Sequence, residues 1–240
     1  MGSLVPSGET PVSRVGSGTI LTYRTLLDVD GFCEALLSDL PSEKFGDAYR
    51  DLGLAHVSFW VQRDPDAAIA RWEGRDIDTM LERFAASSNP VLARWRGQLR
   101  VFSGPQEAES FWDASRHRLL SWGTDEQGAE SEITVCSEPR QVDMYRRLAN
   151  EFQQDPSLFG LLDRVRRSQG FTRIETWHQQ KDGDEVILNL IEAHDLKGAL
   201  AQIAAENNEL DKRSMKVVRA VLLQAPSPSP VATLLARWHA

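Results

Sequence analysis

This chain repeats itself, and no other property of it narrows the possible folds so far. When Leu54–Phe102 is laid over Phe171–Val221, Gly53 falls on Gly170, Trp60 on Trp177 and Gln62 on Gln179. After a two-residue difference in the intervening turn, Glu73 falls on Glu192 and Asp76 on Asp195. The match then runs on without a gap through Leu81 and Leu200, Ala85-Ala86 and Ala204-Ala205, Asn89 and Asn208, Arg94 and Arg213, and Arg100 and Arg219. Self-similarity held in one register marks a duplicated supersecondary unit, so the fold has to be built from two like halves.

Each half reads alike. A β-rich run opens it, Thr19–Thr25 in the first and Glu132–Cys136 in the second. Helical stretches follow at Asp30–Leu40 and Ser42–Leu52, and at Gln141–Gln153 and Ser157–Ser168, with leucines spaced to form one apolar stripe. Gly53 and Gly170 end these helices, where a residue tolerant of positive φ is wanted. A hairpin comes next: His56–Arg63 with Ala67–Glu73, and Thr172–Gln180 with Glu185–Glu192, the latter turning on Asp182-Gly183. Asp76 and Asp195 stand at N-cap positions before helices Ile77–Ala86 and Leu196–Glu206. Last strands are expected at Gln98–Phe102 and Val217–Leu223. This βαββαβ order is the ferredoxin-like unit, and its sheet needs a cover on the face away from its helices. Two copies supply one another's cover by stacking sheet on sheet, which predicts an α+β, pseudo-dimeric α/β barrel. The expected division is a flexible leader over 1–17, a first repeat over 18–103, a connecting helical segment over 104–131 (its helix at Gln106–Ser121), a second repeat over 132–223 and a tail over 224–240.

Composition removes several classes of function. The net charge is −8, from 35 acidic against 27 basic residues, which argues against nucleic acid or an anionic membrane as partner. The apolar runs, such as Val186–Ile191, fall far short of the roughly 20 residues that a membrane span requires. Cys33 and Cys136 are too isolated for a disulfide framework or a zinc site and fit reduced thiols in a cytoplasmic protein. No phosphate-binding loop, HExxH or GxSxG motif is present, and His56 with Glu73 lacks a third metal ligand. Neither a metal nor an organic cofactor is expected.

The stretches V-S-F-W-V-Q…A-R-W-E-G-R-D and I-E-T-W-H-Q…N-L-I-E-A-H-D resemble small actinobacterial proteins of the dimeric α/β-barrel superfamily. The resemblance implies the fold. For activity it implies a range, from polyketide cyclases and cofactor-free quinone-forming monooxygenases to haem-degrading enzymes, mutarotases and stress proteins.

In such a barrel the ligand space is expected between the sheets. Strand alternation places His56, Ser58, Trp60 and Gln62 there in the first half, and Arg173, Glu175, Trp177 and Gln179 in the second. A two-residue Asp-Gly turn sets Glu192 opposite Arg173 and Leu190 opposite Glu175, whereas a one-residue slip brings Asn189 and Ile191 to that face. Glu175 and His56 are the candidate proton-transfer groups, with Arg173 and Asn189 polarising oxygens. Trp60, Trp72 and Trp177 are candidate pocket walls; Arg71 and Trp72, whose repeat equivalents are Leu190 and Ile191, mark a difference between the halves. Glu192 completes the set. The expected function is a cofactor-independent enzyme of specialised, polyketide-like metabolism, a cyclase or isomerase acting on a mostly apolar, oxygenated small molecule. The alternatives are a cofactor-free monooxygenase and a non-catalytic ligand-binding or interaction protein. Fusion of the repeats predicts a monomer or weak homodimer.

Overall fold

The computed structural model describes residues 18–124, 126, 128–137, 139–181, 183–205, 207–213 and 231–240. The first half contains β1 (Thr19–Thr25), α1 (Val29–Asp39), α2 (Glu43–Asp51), β2 (Leu54–Gln62), β3 (Ala67–Gly74), α3 (Ile77–Ala86), α4 (Pro90–Ser103), α5 (Pro105–Asp113) and β4 (Ser115–Gly123). The second contains β5 (Glu130–Cys136), α6 (Pro139–Gln154), α7 (Pro156–Ser168), β6 (Phe171–Lys181), β7 (Asp184–Ala193), α8 (Leu196–Ala204) and β8 (Val231–His239). All eight strands form one antiparallel sheet in the order β1-β3-β2-β8-β5-β7-β6-β4. It curls into a nearly closed barrel with the helices outside. The pseudo-dimeric α/β barrel follows directly.

Three expectations about the strands change. Gln98–Phe102 is helical and ends α4. Its apolar residues continue the spacing of Leu92, Trp95 and Leu99, and Asn89 caps the helix by accepting from the Val91 N–H. The helix expected over Gln106–Ser121 stops at Asp113, and the strand that closes the first half is Ser115–Gly123. The expected tail holds β8, paired with β2 along most of its length and with β5 at its start. The expected strand Val217–Leu223, the leader and Asp182 of the hairpin turn lie outside the described residues.

The halves exchange their last strands. β4 pairs with β6 of the second half, and β8 pairs with β2, the equivalent strand of the first. β8 also joins the halves by a backbone ladder to β5, from Glu132↔Thr233 to Thr134↔Val231. At the opposite joint a side chain takes over: the Gln179 carboxamide donates to the Tyr23 carbonyl at 2.9 Å and accepts the Tyr23 N–H at 3.0 Å, as a peptide group would. The duplicated glycines behave as their positions require, with φ of 80° at Gly53 and 82° at Gly170. Asp195 caps α8 through the Gly198 N–H, whereas Asp76 itself adopts φ 51° and its side chain makes no cap bond.

Four apolar regions hold this together, the smallest of them around Cys136, Val142 and Ile187. The largest lies between the first-half sheet and its helices, around Phe32, Phe59, Trp72, Phe84 and Trp95. A second, around Phe152, Leu162, Phe171 and Ile191, fills the matching space in the other half. The third is the waist of the barrel, where Leu21, Trp60, Ile69, Ile133, Trp177, Leu188 and Leu190 meet. Among the described residues no helix is long and apolar enough to cross a membrane.

Candidate active site

The hairpin register is the one set by a tight turn: Arg173 lies opposite Glu192 and Glu175 opposite Leu190. Strand alternation therefore points His56, Trp60, Arg71, Arg173, Glu175, Trp177 and Glu192 into the barrel. Asn189 and Trp72 point the other way, towards the helices. The Asn189 Oδ1 accepts from the Thr176 hydroxyl at 3.0 Å, and the Trp72 indole N–H donates to the Thr22 hydroxyl at 3.0 Å. Neither shares the barrel interior with the remaining candidates, because the slipped register that would bring residue 189 inward does not occur.

Inside the barrel the charged groups pair with one another, although the Arg237 Nε is buried without a hydrogen-bond partner. Glu175 is fully buried and accepts from the Arg71 Nη2 at 3.0 Å, the Arg173 Nη1 at 3.3 Å and the Trp177 Nε1 at 3.0 Å. Arg71, 2% exposed, also bonds Glu73. The Arg173 Nε donates to Glu192 at 3.0 Å, and Arg237 from β8 approaches the other oxygen of Glu192 at 3.6 Å. The indole of Trp60 donates to the Ser131 hydroxyl at 3.1 Å. Burial by itself raises the Glu175 carboxyl, but Arg71 and Arg173 outweigh it and hold the group below its ordinary range, ionised. His56, whose Nε2 lies 2.6 Å from the Ser58 hydroxyl, is pushed down to about 3 by burial and by His239, Arg71, Arg237 and Arg173. It is a neutral imidazole at neutral pH. This end of the barrel is a closed ionic knot above a plug of tryptophan and aliphatic side chains.

Away from this knot a polar space of about 260 Å3 opens among Tyr23, Glu107, Gln179, Lys181, Glu185 and Val186, and a smaller, apolar one lies outside the sheet. Between the outer face of the first-half sheet and its helices lies a cavity of about 40 Å3, walled by Phe32, Phe59, Trp72, Phe84, Trp95 and Trp112 and floored by Ala68 and Ala70. Small residues make the floor: the repeat equivalents of Ala68 and Ala70 are Ile187 and Asn189, which occupy the same place in the second half. Two polar side chains enter the cavity from β1, Thr22 and Arg24. Arg24 is 4% exposed. Its Nη1 reaches the Ser103 hydroxyl only at 3.5 Å, its guanidinium stacks 3.9 Å from the Phe111 ring centroid, and its Nη2 is buried without a hydrogen-bond partner. It forms no ion pair among the described residues; burial pulls its pKa down to about 10 against the more distant attraction of Glu107.

Arg24 and Thr22 are the residues that sequence reasoning passed over. The signal was present in β1, where alternation places Ile20, Thr22 and Arg24 on the face that packs against helices. An arginine there is out of place in an apolar core, and its repeat equivalent is Cys136. Among the described residues no group of three His, Cys, Asp or Glu side chains gathers to hold a metal.

No protein-family model matches the sequence, and no curated protein does. Solved structures do resemble the fold. A presumed monooxygenase from Lactobacillus acidophilus superposes with a TM-score of 0.50 at 8% identity, covering 92% of this chain and 94% of its own. An anthrone oxidase-like protein covers 95% of both chains with a TM-score of 0.48 at 12% identity. A presumed monooxygenase from Fusobacterium nucleatum covers 92% of this chain and 94% of its own, with a TM-score of 0.44 at 7% identity. The likeness shows the fold alone, that of a dimeric α/β barrel.

Proposed function

We propose that this protein is a cofactor-independent enzyme that oxidises an acidic, oxygenated aromatic molecule with dioxygen, and that the aromatic chamber of the first half is its active site. The observation that carries this reading is Arg24. A buried guanidinium with an unpaired nitrogen is costly unless something else supplies the acceptor. The surrounding walls are flat and apolar, so the fitting acceptor is the oxyanion of a planar ligand, an enolate or phenolate.

The lining suits some chemistries better than others. A cyclase or isomerase must remove a proton and return one at a chosen atom, and among the described residues no carboxylate or imidazole lines the chamber. Oxidation of an activated methylene also loses two C–H protons, but water can take both and no carbon has to be reprotonated. The substrate enters as its carbanion–enolate, its proton lost to water, with Arg24 holding the oxygen. The carbanion bonds to dioxygen and the resulting peroxide takes up a proton; water then removes the remaining C–H proton as the O–O bond breaks and hydroxide leaves, which forms the carbonyl and, with that proton, one water. The methylene carbon thereby gives up both hydrogens and keeps one oxygen atom, while the second oxygen atom departs as water with those two hydrogens. Aromatic walls keep bulk water from quenching the carbanion. In this reading Glu175, His56, Arg173, Arg71, Glu192, Trp60 and Trp177 hold the barrel that positions β1, while Trp72 and Thr22 shape the chamber. Ligands of two or three fused rings need more than the roughly 40 Å3 present, so this reading requires the chamber to widen on binding.

Anthrone, whose methylene is acidified by a conjugated carbonyl, is the test compound. One dioxygen consumed per anthraquinone formed is expected, with Arg24→Met slowing turnover by about 100-fold or more. Full turnover by Arg24→Met would remove the arginine from the chemistry. A product isomeric with its substrate, formed equally under argon, would restore the cyclase or isomerase reading.

A further inference from the structure

Beyond the chamber, on the far side of Arg24 and Trp112, lies an outer groove of about 170 Å3 bounded by Arg24, Arg96, Arg100, Ala108, Glu109 and Trp112. The groove and the chamber share Arg24 and Trp112 as their common wall. Its charge is unusual for a chain of net −8. Arg96 donates to the carbonyls of Phe84 and Ser87, each at 2.7 Å, which are neutral acceptors. Arg116, stacked on the other side of Phe111 with 4.7 Å to the ring centroid, binds the carbonyls of Ala114 and Phe111 and the Gln179 amide. Among the described residues Arg100 alone of these pairs with a carboxylate, Glu109 at 3.0 Å, and that pair is exposed, with 59% and 72% of the two side chains accessible. A solvated pair of this kind is readily exchanged.

Resting on the chamber as the substrate site, we infer that the groove is a second subsite that takes a carboxylate carried by the same ligand. The substrate class is then an aromatic acid. Its rings lie among Phe59, Trp72 and Phe84, and its carboxylate lies between Arg24 and Arg100, displacing Glu109. Guanidinium groups suit this task because their planar forks match a carboxylate in two parallel hydrogen bonds. Arg96, fixed by the carbonyls at the end of α3, adds charge to the wall without moving. Glu109 acts as the stand-in anion when the groove is empty.

Calorimetric titration of the full chain with 2-naphthoate and methyl 2-naphthoate tests this. The acid is expected to bind at least about tenfold more tightly than the ester, and Arg100→Ala to remove that advantage while leaving the ester unchanged. Glu109→Gln is expected to tighten the acid several-fold, since it removes the competing carboxylate. The opposite signs of these two exposed substitutions separate recognition from loss of fold. Equal affinity for acid and ester, both lost when Ala68→Ile fills the chamber, overturns the groove and keeps the chamber. Tighter binding of 2-naphthyl phosphate than of 2-naphthoate overturns the carboxylate assignment. No binding of either naphthoate overturns groove and chamber together.

Discussion

Arg71 and Arg24 are buried to nearly the same depth, 2% and 4% exposed, yet they do opposite things. Arg71 sits inside the barrel with Glu175 and Glu73 against it, one node of a network in which arginines and glutamates alternate. Arg24 sits outside the sheet among aromatic rings, with a stretched bond to Ser103 and no carboxylate partner among the described residues. Burial of charge by itself therefore says little about function. A paired buried charge fixes the structure, whereas an unpaired one marks where a ligand completes it. The same contrast separates the halves. On the helix side the first half has Ala68, Ala70 and Arg24 where the second has Ile187, Asn189 and Cys136, so the space left over Ala68 and Ala70 is taken up by larger side chains at the equivalent positions.

The largest expected effect tests the paired side. Arg71→Met leaves Glu175 buried with less compensation and should cost about 3–5 kcal/mol, lowering Tm by on the order of 10 °C in thermal unfolding. A smaller loss would mean that Arg173 and Trp177 suffice for Glu175. Next, Ile187→Ala carves the first half's floor into the second, where nothing lines the space to use it. It should cost about 2–4 kcal/mol in denaturant unfolding and create no new ligand binding. The converse change, Ala68→Ile, should abolish naphthoate binding with little loss of stability, because the added carbons enter space that is already open.

Acid sharpens the contrast further. His56 is held near 3 in the folded protein against about 6.5 when unfolded, so the unfolded chain binds its proton first and stability falls as pH drops from 6.5 towards 3. Glu175, held below its ordinary range, adds a loss in the same direction below about pH 4.5. Tm measured from neutral pH down to about pH 4 should decline, and His56→Gln should flatten that decline. The smallest effect tests the unpaired side. Arg24→Met removes a buried charge with no ion-pair partner among the described residues and should raise stability by about 1 kcal/mol while ending ligand binding. Opposite signs for Arg71→Met and Arg24→Met are the clearest expression of the comparison. Equal losses would erase it.

Much of the barrel was legible in the sequence. The repeat carried the two hairpins, the helix-ending glycines and the alternation that sends His56, Trp60, Arg173, Glu175 and Trp177 inward. The Asp-Gly turn was enough to set Glu192 opposite Arg173. What alternation left out was the crowding on that face. The inward candidates read as a pocket one at a time, but those at one end of the barrel fill it together, since each acid finds an arginine within reach. The chamber escaped notice for the opposite reason: it comes from alanines, which carry no chemistry of their own, and from one arginine in a strand read for its pattern.

Local sequence sufficed for the duplicated α+β architecture, the phase of its strands and the register of its second hairpin, because these follow from periodicity and turn geometry. It did not suffice for the last strands, whose positions depend on packing across the pseudo-dimer. Gln98–Phe102 is a short apolar run compatible with helix or strand, and it went to α4 because Leu92, Trp95 and Leu99 extend it on one helical face. Ser115–Gly123 and Val231–His239 became strands because the open edges of β6 and β2 needed partners, and each found one in the other half. The location of the candidate site was settled in the same way. Whether a buried charge is paired depends on which distant strand and helix pack over it, and no local stretch of the chain contains that information.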